Sequence, residues 1–175
     1  DHIAQVAGRY KGTIFAWDVV NEAFDGANYR RTIWYETIGP EYIAMAFRLA
    51  HEAAPDARLY YNDYGISGIS TKSDAVYEMV TQLREDDVPI HGVGLQTHMS
   101  MESSFSFQGL HRNIQRFVDL GLKVDLTEVD IRMKKPVDES DYEEQGDRYR
   151  KLMEIMLDFP TCDTFVTWGV GDAFS

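Results

Sequence analysis

Cysteine is nearly absent. Cys162 stands alone, so no internal disulfide can form, and a lone thiol is more often a small packed residue than a reactive one. Positive charge is also scarce: 17 Lys and Arg face 29 Asp and Glu, a formal net charge of −12. That balance argues against a nucleic-acid partner or an anionic membrane surface and is indifferent to a neutral polymer. No apolar run is long enough to suggest a membrane span. No signal-peptide pattern is present; the chain opens on Asp1-His2 with helical spacing. No phosphate-cradling glycine loop occurs, because Gly92 and Gly94 do not precede a helix in the required spacing. A nucleophile elbow for a Ser-His-Asp triad is missing too. No two histidines lie at metal-ligand spacing, so a metal could only be imagined across His98, Asp130 and Glu128.

What is present suits one globular domain. The chain has 175 residues and 44% hydrophobic content, enough for a sizeable core. Aromatics make up 13%, ten of them Tyr, which fits either a well-packed interior or a surface that stacks on sugar rings.

Strands and helices alternate. Thr13 to Val20 reads as a buried strand, and a helix follows Pro40 with Ile43, Ala46, Phe47 and Ala50 on one face. Arg58 to Asn62 is a second strand. Thr71 with Asp74 suggests a capping box, ahead of a helical stripe from Ala75 to Leu83. His91 to Gln96 is a third strand whose two glycines predict close backbone approach. A helix carrying Leu110, Ile114, Phe117 and Val118 stops at Gly121. Lys123 to Glu128 is a fourth strand. Ser140 with Glu143 resembles a second capping box, and Thr164 to Gly169 is a fifth strand. Five strands separated by helices imply parallel βαβ units in an open sheet or in part of an eight-stranded barrel. The chain starts in what reads as a helix tail and stops just after a strand. A whole barrel typically needs about 250 residues, so the expectation is a barrel cut at both ends.

In parallel α/β folds, chemistry gathers at the C-terminal ends of strands. Those ends carry Asn21-Glu22, Asn62-Asp63-Tyr64, Gln96-Thr97-His98, Thr127-Glu128-Val129-Asp130 and Trp168-Gly169. Two glutamates among aromatics suit glycosidic cleavage, which needs one protonated carboxyl and one ionised one. A retaining mechanism wants them about 5–5.5 Å apart, which favours a barrel over an open sheet.

The longer strings WDVVNE (17–22), GVGLQTH (92–98), TEVDI (127–131) and WGV (168–170) resemble glycoside hydrolase family 10 in order and spacing across nearly the whole chain. The resemblance implies an endo-β-1,4-xylanase on a (β/α)8 TIM barrel, of which residues 1–175 would hold the C-terminal five strands, four to eight. It implies retaining hydrolysis of xylan, no cofactor, no metal, and secretion, since a polymer cannot enter cells. Glu22 matches the acid/base and Glu128 the nucleophile. Asn21 matches the residue bonding the sugar 2-hydroxyl, and Gln96 a polar group at the cleavage point. His98 matches a histidine on the nucleophile, with Asp130 behind it. Trp168 matches a wall on the glycone side and Tyr64 one on the leaving-group side. Gly65 stands where the family usually has Asn, Gly171 stands where Thr is usual, and Ser175 ends the chain where another Trp is expected. Asp18 reads as structural. Strands one to three, which line much of the glycone side, would be absent. The alternative reading is therefore a half-barrel that at most binds xylan and awaits its N-terminal complement. A cellulase is a further rival, against which the Gln96-Thr97-His98 string argues.

Overall fold

The structure, a computed structural model, describes residues 1–169 and 171; Val170 of the WGV string and the expected end at Ser175 lie outside them. Helix α1 (His2–Arg9) leads into strand β1 (Ala16–Asn21). A small hairpin, β2 (Phe24–Asp25) with β3 (Asn28–Tyr29), and the short helix α2 (Ile33–Ile38) follow. Next come α3 (Tyr42–Ala53), β4 (Arg58–Asp63), α4 (Thr71–Glu85), β5 (Gly92–Leu95) and β6 (His98–Ser100). The order ends with α5 (Phe107–Asp119), β7 (Lys123–Arg132), α6 (Glu139–Leu157) and β8 (Phe165–Thr167).

Strands β1, β4, β5, β7 and β8 pair in that order, every pair parallel. They correspond to the five strands expected from the sequence. Successive strands lie side by side with a helix between them, as barrel connectivity requires. Strand β6 is an extra short piece that pairs with the far end of β7, His98 opposite Asp130.

The core lies between the helices and the outer sheet face. Leu59, Tyr61, Val93, Leu95, Val124 and Leu126 point outward from the strands into it. Phe47, Ala50, Val76, Val80, Ile114, Phe117 and Leu152 meet them from the helices. The stripes read on α3, α4 and α5 are thus the buried faces, with Ala75 and Val118 half-buried at their margins. Phe117→Ala is expected to lower stability by about 3–5 kcal/mol, read as a shift in denaturant midpoint.

Both helix caps shift from the expected residue. Ser70, not Thr71, caps α4 in a reciprocal pair with Ser73, and Asp138, not Ser140, caps α6 with Asp141. The cap must be the last extended residue, and both Ser70 and Asp138 have β-region backbone. Gly92 and Gly94 confirm the expected close approach: a Cβ on Gly92 would strike the Tyr60 ring, and one on Gly94 would strike Asn62 Oδ1.

Two irregularities re-aim side chains at the strand ends. The β1–β4 register shifts between Asp18 and Val20, and the β7–β8 register shifts between Leu126 and Val129. A bulge of this kind changes the face to which the following side chains point. Glu22 lies beyond the first and Glu128 inside the second.

Candidate active site

Glu22 follows β1 in a left-handed conformation, φ 55°. Such backbone costs a non-glycine residue on the order of 1 kcal/mol or more and needs support from its surroundings. Support comes from two hydrogen bonds: Glu22 N donates to Asn62 O at 2.9 Å, and Ala23 N donates to Tyr61 Oη at 3.0 Å. Thr97, just before His98, is the second strained residue at this rim, φ 60°, and its Oγ1 donates to Leu95 O at 3.0 Å.

A chain of amides joins the two glutamates. Gln96 Nε2 donates to Glu22 Oε1 at 3.1 Å and lies 3.3 Å from Asn21 Oδ1. Asn62 Nδ2 donates to the same Asn21 oxygen at 3.0 Å and to Glu128 Oε1 at 2.9 Å. Thr127 Oγ1 donates to Asn62 Oδ1 at 2.6 Å, which fixes the amide's orientation. In a flat sheet β1 and β7, three spacings apart, would be about 14 Å from each other. Two amide side chains span the gap here, so the sheet is curled as a barrel wall must be. Asn62 was not singled out in the sequence, yet it is buried at the centre of this bridge. The missing Cβ of Gly94 is what makes room for it.

His98 stands between two carboxylates. Its Nδ1 is 3.0 Å from Asp130 Oδ1, and its Nε2 is 3.4 Å from Glu128 Oε2. With one ring proton the imidazole can donate to one carboxylate; with two it donates to both. Among the described residues, no group of three His, Cys, Asp or Glu side chains is gathered so as to hold a metal ion. His98 turns a different ring nitrogen to each carboxylate, so the three groups imagined as a metal site do not converge on one point.

Trp168 packs edge-on to His98, ring centroids 6.5 Å apart, and is 50% exposed. Its backbone N donates to Val129 O at 3.0 Å, which ties the end of β8 to β7 one residue past Glu128. Tyr64, 36% exposed, lies at the opposite side, near Glu22. Arg30 connects the two: Nη1 meets Glu22 Oε2 and Nη2 meets Tyr64 Oη, each at 3.1 Å. The Glu128 side chain is 14% exposed and that of Glu22 is 30% exposed, so the latter stands more open to an incoming group.

The sequence matches Glycosyl hydrolase family 10 over residues 1–175. The chain belongs to glycosyl hydrolase family 10. It is 42% identical to endo-1,4-beta-xylanase B of Thermotoga neapolitana, covering 100% of this chain and 51% of that protein. It is 40% identical to endo-1,4-beta-xylanase A of Humicola insolens, covering 100% of this chain and 47% of that protein. The fold superposes on xylanase 10B of Thermotoga petrophila, solved with xylobiose, at a TM-score of 0.95 and 43% identity. That match covers 100% of this chain and 54% of the solved one. The chain thus spans about half the length of the relatives it matches.

Within this family-10 half-barrel, Gly65 and Asp18 have physical readings. Gly65 has φ 67°, a conformation that Asn adopts more readily than other non-glycine residues, so the exchange keeps the turn. Asp18, expected to be structural, lies in the hollow of the inner sheet face, open to solvent; partial desolvation by the surrounding protein first, then the charges of Glu128 and Asp125, push its carboxyl up to about 6. A carboxyl raised above its ordinary value is destabilising when ionised, so its penalty is absent below about pH 4 and grows as pH rises toward 6. Asp18→Asn is expected to stabilise this chain at pH 7 and to change it little at pH 4, measured by urea midpoints.

Against the Tyr64 ring lies a buried ion pair, Lys72 Nζ to Asp63 Oδ1 at 2.7 Å, with Tyr61 Oη donating to Asp63 Oδ2 at 2.5 Å. Burial raises the Asp63 carboxyl, opposed by Lys72 and Tyr61. Lys72→Ala is expected to cost about 3–5 kcal/mol, because it strands Asp63 as an unpaired buried charge. Cys162 is half-buried and its thiol is pushed up to about 11, mainly by burial, so it stays protonated at neutral pH. His91 accepts a hydrogen bond from Leu59 N at Nδ1, 3.0 Å, and serves the fold.

Proposed function

We propose that this chain forms the catalytic half of a retaining endo-β-1,4-xylanase, with Glu22 as acid/base and Glu128 as nucleophile. The observation that carries the reading is the amide bridge from Glu22 through Gln96, Asn21 and Asn62 to Glu128. It ties two carboxyls from separate strands into one rigid unit while leaving them in different company. Glu128 accepts from Asn62 and faces His98, groups that suit an ionised nucleophile. Glu22, more open and set beside Tyr64, suits a group that passes a proton to a departing sugar.

On this reading the reaction is a double displacement. Glu128 attacks the anomeric carbon while Glu22 protonates the glycosidic oxygen, and the bond to the leaving sugar breaks. A covalent xylosyl ester on Glu128 results. Glu22, now a carboxylate, takes a proton from water, which attacks the same carbon and releases the sugar with its configuration retained. On this reading Asn21 bonds the 2-hydroxyl of the sugar at the cleavage point, His98 with Asp130 orients Glu128, Trp168 walls the glycone side and Tyr64 walls the leaving-group side. Xylan as substrate is supported by the names of the relatives, and secretion of the whole protein by the size of that polymer.

A second reading, a half-barrel that at most binds xylan, is favoured by the solvent-open inner face, where Asp18, Val166 and Trp168 are exposed. Reducing-sugar release from linear xylan separates the two. Release that disappears in Glu128→Ala supports the enzyme; binding with no release from the unmutated protein supports the second reading.

A further inference from the structure

The contacts around Glu22 close into a ring. Glu22 Oε2 meets Arg30, Arg30 meets Tyr64 Oη, and Lys72 Nζ lies 3.3 Å from the centre of the Tyr64 ring. Lys72 is held by Asp63, Asp63 by Tyr61, and Tyr61 Oη accepts from Ala23 N, the residue after Glu22. Both the side chain and the strained backbone of Glu22 are therefore tied to the same aromatic wall.

We propose that Arg30 is a positioning residue that sets which oxygen of Glu22 carries the proton and aims it at a sugar lying on Tyr64. The inference rests on the reading of Glu22 as the general acid. Both oxygens of Glu22 accept a hydrogen bond here, Oε1 from Gln96 and Oε2 from Arg30. A proton on either one must displace or invert a donor. Gln96 Nε2 is shared with Asn21 Oδ1 and can give up its neutral bond to Oε1, whereas the charged guanidinium has donors only and favours an ionised Oε2. With Arg30 in place, the proton belongs on Oε1. In the first step that proton moves to the glycosidic oxygen as the bonding pair of the broken C–O bond goes to the same atom. Arg30 also spans Glu22 and Tyr64 with two nitrogens of one rigid plane, so the acid and the wall cannot shift independently.

The test is leaving-group dependence in the full-length protein carrying this chain, using dinitrophenyl and phenyl β-xylobiosides. Arg30→Met is expected to lose about 10–100-fold in kcat/KM on the phenyl substrate, part of the roughly 10²–10⁴-fold that general acid catalysis supplies. On the dinitrophenyl substrate, which leaves without a proton, the loss should stay within about 3-fold by the same argument. Arg30→Lys keeps the charge but cannot span both partners, so it should fall between. Arg30→Gln repeats the test should the Met variant melt at a much lower temperature. Equal losses on both substrates, or none on the phenyl one, overturn the inference alone. An unmutated protein that cleaves neither substrate overturns the functional reading and the inference with it.

Discussion

Glu128→Ala is expected to abolish retaining hydrolysis, with kcat falling on the order of 10⁶-fold, the scale seen when an enzyme loses its nucleophile. The expectation is tied to geometry. Glu128 sits in the β7 bulge, so its side chain leaves the alternating pattern of the strand and joins Asn62 and His98 at the rim. No other described carboxyl shares those two partners, so nothing nearby can take over. Removing the side chain also leaves a space beside the anomeric carbon. Azide entering that space should attack the face Glu128 used and give the α-xylosyl azide, a product of inverted configuration. Kinetics on an activated aryl xylobioside, with product configuration read by NMR, checks both parts. Turnover near that of the unmutated protein would remove Glu128 from the mechanism.

The second large effect is Glu22→Ala. Here the loss should depend on the substrate. With a poor leaving group such as a second xylose, kcat/KM should fall about 10²–10⁴-fold, because the departing oxygen lacks its proton. With dinitrophenolate the first step should survive and the second become limiting, since no base activates water. A burst of dinitrophenolate followed by a slow steady state is the expected trace. Azide should then attack the glycosyl-enzyme and restore turnover, giving the β-azide. The contrast in azide stereochemistry between the two variants assigns each glutamate to its face of the sugar. Equal losses on good and poor leaving groups would contradict the role given to Glu22.

Much of this was legible in the sequence because apolar periodicity reports buried faces directly. Ile43, Ala46, Phe47 and Ala50 had to share a face of α3 whatever they packed against. The site was legible for a different reason: parallel strands deliver their ends to one rim, so Glu22 and Glu128 could be paired without knowing the register. The hairpin β2–β3 escaped because each strand is two residues long and leaves no alternation to read. Arg30 escaped with it, since its position depends on that turn. Lys72 reads as a solvated charge at a helix start. Its burial shows only in the fold, where Asp63 at the end of β4 lies against it. Asn62 escaped because an asparagine at a strand end is common in turns, and only the register with Gly94 reveals the space it fills. The caps were misplaced by one or two residues because several Ser, Thr and Asp residues compete at each helix start and only the backbone conformation decides among them.

The most direct test of the central claim is covalent trapping. A 2-deoxy-2-fluoro xylobioside with a dinitrophenyl leaving group slows the second step and lets a glycosyl ester accumulate. Incubation with the full-length protein carrying this chain, followed by digestion and mass spectrometry, should place the fluoro-xylobiosyl group on Glu128. A label on any other residue, or release of dinitrophenolate with no label, would contradict the assignment of a retaining mechanism to this pair of glutamates.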